Sequence, residues 1–350
     1  MLLLCGAGLG ILYSAGFNPE SGQSAQMRQQ FYSMLVGLLA FVVSVLISPA
    51  FWKRYAFLFY GLGCFFLVLV LGTGLIAKGA QRWIAIGSFR MQPSEFMKIA
   101  VILALARVFS SENSPRDGYT FRALLMPTAV GAIPALLIVL QPDLGTALSV
   151  VLISGTMLLF VGIRAKVFVR LLVVALVGAV PAWNLMHEYQ RKRILNFMFP
   201  ELDPLGSGYH AIQSKIAVGS GMVTGKGFLQ GTQTQLSFLP EQTTDFIFSV
   251  LAEEWGFLGS TIVICLYALT ILHALKISAR CSDRFSSLVV IGVCGMLFWH
   301  VLINISMVIG CAPVVGITLP LLSYGGSSVV TCMIGLGLVG SISMRRYLFA

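Results

Sequence analysis

Charge is the scarcest property of this 350-residue chain: only 10% of its residues are Asp, Glu, Lys or Arg, against 57% hydrophobic. A soluble domain carries about 25% charge, so this composition excludes a single water-soluble core and leaves apolar surface for lipid to cover. Paired cysteines are also missing. Cys5, Cys64, Cys265, Cys281, Cys294, Cys311 and Cys332 fall mostly inside apolar runs with no paired spacing, which excludes a disulfide framework and a thiolate metal site. Histidine is limited to His187, His210, His273 and His300, too scattered to form a ligand set. A nucleotide phosphate loop is absent too: Ser220 stands where its first Gly belongs, and Gly227 follows Lys226 in place of Ser or Thr. The net charge of +10 does not imply nucleic acid, because Lys and Arg sit between apolar runs and build no continuous basic face.

What is present is a succession of apolar runs, at 2–14, 31–47, 56–76, 93–109, 123–140, 144–161, 167–183, 246–272, 287–309 and 323–342. They predict an all-α integral membrane protein with ten transmembrane helices, read as one polytopic domain over 1–350. A long extracytoplasmic loop, 186–245, separates the seventh helix from the eighth. Several runs fall below the roughly 20 residues a bilayer needs, and all but the first extend through flanking amphipathic residues. The first starts at Met1 without cations, so the natural amino terminus is expected to be longer. Lys53, Arg54, Arg107, Arg116, Arg122, Arg164, Lys166, Arg170, Lys276, Arg280, Arg284, Arg345 and Arg346 all fall on one side, which is therefore read as cytoplasmic. Cations in the long loop do not offset this, since long loops cross regardless of charge. Only Glu112, Asp117 and Asp283 join the cytoplasmic side; the other acidic residues lie on or near the outer one. Carboxylates hardly influence insertion, so that placement points to chemistry at the outer face.

Several residues there invite a role. Tyr209, Ile212, Ile216 and Ala217 recur at helical spacing and predict a short interfacial helix. Gly219, Gly221, Gly225, Gly227 and Gly231 surround Lys226 in a stretch that reads either as plain turns or as an amide nest for a diphosphate. Glu95 and Lys98, one helical turn apart behind Pro93, predict an intramembrane charge pair, either a structural tie or a support for catalytic groups. Asp143 is explained by capping the sixth span. Asp245 reads equally as cap or catalyst, with Glu253 eight residues on suggesting a carboxylate ladder into the membrane. Arg82-Trp83 and Arg191-Lys192-Arg193 read either as anchors and solvated charge or as clamps for an anionic lipid headgroup.

The motifs Gln81-Arg82-Trp83-Ile84, Gln92-Pro93-Ser94-Glu95-Phe96-Met97-Lys98, Gln141-Pro142-Asp143-Leu144-Gly145-Thr146 and Asp203-Pro204-Leu205-Gly206-Ser207-Gly208-Tyr209-His210 occur in order. Glu241-Gln242-Thr243-Thr244-Asp245-Phe246, Ala252-Glu253-Glu254-Trp255-Gly256-Phe257, Asn304-Ile305-Ser306-Met307-Val308-Ile309-Gly310 and Leu319-Pro320-Leu321-Leu322-Ser323-Tyr324-Gly325-Gly326-Ser327-Ser328 follow. Together they resemble the shape, elongation, division and sporulation family over nearly the whole chain, and its rod-shape branch more than its division branch. The resemblance implies a peptidoglycan glycosyltransferase that polymerises lipid II at the outer face of a bacterial cytoplasmic membrane during elongation. A class B penicillin-binding protein and other elongation proteins are implied as partners. It carries the essential aspartate onto Asp245 and the paired helix-four charges onto Glu95 and Lys98. An inverting transfer needs one carboxylate base for the acceptor hydroxyl and cations for the departing diphosphate. Arg82, Arg191, Arg193, Lys215, Lys226 and a divalent ion, Mg or Mn, are the candidates for the latter. Gln213, Ser214, Glu241 and Thr244 complete the expected substrate-binding set. The competing reading is a flippase for lipid-linked sugar, although no inverted or parallel repeat is found. A pure scaffold would leave the outer carboxylates unexplained.

Overall fold

The computed structural model of the chain describes residues 1–17, 24–73, 75–77, 80–86, 89–110, 119–164, 166–167, 169–170, 173, 177–178, 184, 186, 188–199, 207–236, 238–239 and 241–345. Its helices are α1 (Leu2–Ala15), α2 (Ala25–Leu46), α3 (Pro49–Thr73), α4 (Pro93–Phe109), α5 (Phe121–Leu140) and α6 (Leu144–Val161). After them come α7 (Glu188–Met198), α8 (Ser207–Ser220), α9 (Thr232–Gln235), α10 (Ile247–Ser278), α11 (Arg284–Val308) and α12 (Gly326–Arg345). Seven of the described helices, α2, α3, α5, α6, α10, α11 and α12, are long and apolar enough to cross a membrane, which makes this a multi-pass membrane protein. The apolar α1 is shorter, at 14 residues, and so is α4, at 17, which carries Glu95, Lys98 and Arg107. The predicted span 167–183 lies largely outside the described residues.

Local chemistry explains the helix ends that the sequence placed best. Pro93 occupies the first turn of α4, where its missing N–H and fixed φ cost nothing. Asp143 caps α6, its carboxylate accepting the Thr146 N–H at 3.3 Å. One segment departs from the helical reading. The predicted third span runs through Ile76, yet α3 ends at Thr73 and a three-stranded antiparallel meander follows. Its strands are β1 (Leu75–Ala77), β2 (Ala80–Ile86) and β3 (Phe89–Met91), with Leu75 opposite Trp83 and Ile84 opposite Met91. A short apolar stretch continuing a helical run cannot be told from a strand by periodicity alone.

The chain divides into two compact units. The first comprises Met1–Tyr32, Val169–Leu269 and His300–Gly325; the second comprises Ser33–Phe168, Thr270–Trp299 and Gly326–Ala350. In the second, α4 packs against α3, α5, α6 and α12, and nearly all its side chains are buried. In the first, α8 packs against α7 and α9. Only 17% of the α3 span is buried against 72% of the α12 span, so α3 offers its side chains to lipid while α12 is interior.

Candidate active site

Asp245 stands in the turn 241–246, two residues before α10 begins at Ile247, and is half-buried. The fully buried Asn304 of α11 donates its Nδ2 to the Asp245 carbonyl (2.9 Å) and to the Ile317 carbonyl (2.7 Å). The carboxyl lies against Gly316, where a Cβ would come within 3.4 Å of Asp245 Oδ2. Glu241 opens the turn with a φ of +57°, and its carbonyl accepts from the Thr244 N–H at 3.1 Å. Thr244 Oγ1 also donates to Glu241 Oε2 at 3.2 Å, which ties these two predicted substrate contacts to each other beside Asp245.

Glu253, two turns along α10, is fully buried. Lys226 Nζ (2.8 Å), Thr232 Oγ1 (3.3 Å) and the Gln233 N–H (2.9 Å) donate to its Oε1. Oε2 takes the Thr234 N–H (3.2 Å) and hydroxyl (2.9 Å). The glycine-rich stretch therefore docks on α10, and the reason lies in the helix itself. At Gly256 (φ +65°, ψ −163°) α10 is broken. The carbonyls of Glu253 and Glu254 accept from the N–H groups of Lys226 and Gly227, both at 3.0 Å. The N–H groups of Phe257 and Leu258 donate to Met222 (2.9 Å) and Val223 (3.1 Å). The loop thus supplies the hydrogen bonds that the interrupted helix lacks, as apolar surroundings require. Contact is close enough that a Cβ on Gly256 would sit 2.3 Å from the Gly225 nitrogen. The amide-nest reading of this stretch is thereby corrected, since the Lys226 and Gly227 N–H groups point at helix carbonyls. The ladder is corrected too: Glu253 holds a loop.

Among the other cations, Arg193 and Lys215 line one cleft with Asn196, Gly310, Pro313 and Val314; α7 and α8 provide one wall and the segment after α11 the other. Arg191 donates to the Asn184 carbonyl at 2.6 Å, and the exposed Lys192 pairs with Glu188 at 3.0 Å. Gln213 is partly exposed on α8. Ser214 is fully buried, bonded to Ser249 Oγ (2.9 Å) and the Val308 carbonyl (2.7 Å). Its contacts are internal packing of its unit.

The second unit holds the remaining predicted residues. Glu95 and Lys98 form an ion pair at 2.9 Å and are 7% and 1% exposed. Such a pair needs its partners, because removing either leaves an uncompensated buried charge. Arg82 donates to the Pro142 carbonyl and lies 3.7 Å from Asp143, which also accepts from Gln92 Nε2 at 2.8 Å. The structure thus gathers Asp245, Glu241, Thr244, Arg191, Arg193, Gln213, Ser214, Lys215 and Lys226 in one unit, and Arg82, Glu95 and Lys98 in the other. Asn304 was not singled out as a site residue. Its signal was available: a lone carboxamide inside an apolar run is costly and calls for a bonded role.

Comparison with known proteins agrees over the full length. Residues 1–348 match the family model of the FtsW/RodA/SpoVE cell cycle proteins. Peptidoglycan glycosyltransferase MrdB of Escherichia coli (strain K12) is 44% identical over 333 residues, 93% of this chain and 88% of that protein. Stage V sporulation protein E of Bacillus subtilis (strain 168) is 37% identical over 350 residues, covering 98% and 94%. Among solved structures, a chain of a peptidoglycan synthase complex that coordinates polymerization and crosslinking is similar with a TM-score of 0.83 at 30% identity, covering 99% of this chain and 97% of that one. The crystal structure of the rod shape determining protein RodA of Thermus thermophilus gives 0.73 at 28% identity, covering 99% and 95%. The chain belongs to the FtsW/RodA/SpoVE family of cell cycle proteins.

Proposed function

We infer that this chain is a peptidoglycan glycosyltransferase that polymerises lipid II by inverting transfer, with Asp245 as general base. The observation that carries the assignment is the setting of Asp245: a half-buried carboxylate at the head of a membrane helix, its backbone held by a buried asparagine, in the unit that also carries the Arg193–Lys215 cleft. In the reaction, the acceptor hydroxyl oxygen bonds to the anomeric carbon of the donor while Asp245 takes its proton. The bond from that carbon to the diphosphate oxygen breaks, and the diphosphate leaves with the electron pair. Cations facing that oxygen replace an acid catalyst. Arg193 and Lys215 suit this task best, because they line one cleft in the unit that also carries Asp245. Arg191 remains a secondary candidate, while Lys226 is already paired with Glu253; Arg82 is proposed for an anionic headgroup within its own unit. Gln213, Glu241 and Thr244 are assigned to substrate hydroxyls, and Glu95 with Lys98 keep a supporting role as a buried ion pair within their own unit.

Among the described residues no group of three or more His, Cys, Asp or Glu converges, so the donor set does not fit a protein-built cage for Mg or Mn. The reading includes ten spans, with α1, α4 and 167–183 added to the seven long helices, and 186–245 with Asp245 on the extracytoplasmic side of a bacterial cytoplasmic membrane. A class B penicillin-binding protein, working with other elongation proteins, is the partner that this reading requires; the similar chain within a polymerising and crosslinking complex supports it.

The test is polymerisation of labelled lipid II by the purified chain with its transpeptidase partner. Asp245→Asn abolishes glycan strands while leaving folding and partner binding intact. Full polymerisation by that variant refutes the base assignment. Movement of lipid II between leaflets without polymerisation refutes the transferase.

A further inference from the structure

Around Asp245 the buried polar contacts converge on backbone. Three consecutive carbonyls, of Thr243, Thr244 and Asp245, accept hydrogen bonds from groups far away in sequence. The donors are the Tyr324 N–H (2.8 Å), Ser323 Oγ (2.6 Å) and Asn304 Nδ2 (2.9 Å). The segment that carries Ser323 and Tyr324 is held from behind by Gln30 on α2. Its Nε2 donates to the Ser323 carbonyl at 2.9 Å, and its Oε1 accepts the Gly325 N–H at 3.1 Å. Gln30 is fully buried, and a carboxamide can donate and accept at once. Its neighbour Gln29 accepts from the Tyr324 hydroxyl at 2.6 Å.

The segment between these contacts is strained. Leu321 follows Pro320 with a φ of +66°, a left-handed conformation that disfavours a leucine. Such a residue persists only where its surroundings over-determine the backbone. Here the Leu322 and Ser323 N–H groups both donate to the Leu319 carbonyl, at 3.2 and 3.0 Å. The Leu319 N–H donates to Ser323 Oγ at 2.8 Å, and the Tyr267 hydroxyl donates to the Pro320 carbonyl. Ser323 Oγ is therefore a two-way joint, accepting from the strained turn and donating to Thr244. Packing alone would not demand it: an apolar side chain fills the same space without polar groups that must all be matched.

We propose that Gln30, Ser323 and Asn304 are positioning residues for Asp245: Gln30 and Ser323 form one relay and Asn304 a separate tie, and they fix the carboxylate through the carbonyls of residues 243–245. The proposal rests on Asp245 being the base. All three residues are buried away from the surface. A small displacement of a reacting group costs up to about a hundredfold in rate, so the relay controls turnover more than substrate capture.

The test uses the full chain with its transpeptidase partner, lipid II titrated to saturation, and melting curves to count folded protein. Gln30→Met keeps length and apolar bulk but removes both amide bonds; it lowers kcat about 10- to 100-fold with KM within about twofold. Ser323→Ala does the same, while Ser323→Thr, which keeps the hydroxyl, restores most of kcat. Combining Gln30→Met with Ser323→Ala is no worse than the slower single variant, since both cut one relay. Wild-type kcat in both single variants, multiplicative losses, or a loss matched by the loss of folded protein overturns the proposal. Where Gln30→Met does not fold, the Ser323→Ala and Ser323→Thr pair decides. Asp245→Asn runs in parallel: activity in that variant sinks the base itself, whereas its inactivity beside fully active Gln30 and Ser323 variants sinks only the relay.

Discussion

Asp245 and Glu253 stand eight residues apart on one approach to one helix, and they differ in burial. Glu253 is fully buried and takes five hydrogen bonds on its two carboxylate oxygens, one of them from an ammonium. Asp245 is half-buried, and the bond from Asn304 reaches its backbone carbonyl. A carboxylate saturated by internal donors is held as an anion and has a structural task. One half-buried at the head of the helix, with its main chain held in place, has the fixed geometry that the proposed base role needs. The difference teaches that a ladder of acids on one helix need not be a ladder of function.

The largest way to break this comparison is Asp245→Asn, expected to lower polymerisation by at least about a hundredfold, in line with the loss of a general base, with an unchanged melting temperature. A fall in melting temperature without a fall in rate per folded molecule would give Asp245 the structural task. Next comes Gly256→Ala. Its φ of +65° with ψ of −163° belongs almost to glycine alone, and the added methyl meets the Gly225 nitrogen at 2.3 Å. A loss of about 3 kcal/mol is expected, read by thermal unfolding in detergent, because both the helix break and the loop that mends it must move. Glu253→Gln should cost somewhat less, about 2 kcal/mol, since it sets an amide NH2 against the Thr234 donors and removes the charge facing Lys226. Its rate per folded molecule should remain close to wild type. A hundredfold lower rate at unchanged stability would return Glu253 to the chemistry.

Much of this was readable before any contact was known, and the limits have physical causes. The runs 93–109 and 144–161 match α4 and α6 to the residue because their boundary signals, Pro93 and Asp143, act within one turn. The meander from Leu75 to Met91 was missed because β1 continues an apolar run in which nothing local marks the change of period. Gly256 was visible as a glycine inside a span, but its φ depends on a loop some thirty residues earlier, and sequence spacing does not report that encounter. Asp245 was legible as an expensive charge with two readings. Its backbone supports were not, because Gln30 and Ser323 meet across a sequence separation of 293, and each alone is one polar residue near an apolar run.

The smallest change tests the comparison most finely. Thr232→Val removes one donor from Glu253, the longest of the five at 3.3 Å, along with the 2.8 Å contact from Lys226 Nζ to its hydroxyl. Four donors to the carboxylate remain, and Thr232 lies exposed at the start of α9, so water can replace what Lys226 loses. The expected cost is about 1 kcal/mol or less, a shift of a few degrees in the melting curve, with kcat and KM unmoved. Because the variant touches only the loop's attachment to Glu253, a selective fall in kcat at that small cost would mean that the tie also governs Asp245, and the two carboxylates would have to be treated as one site.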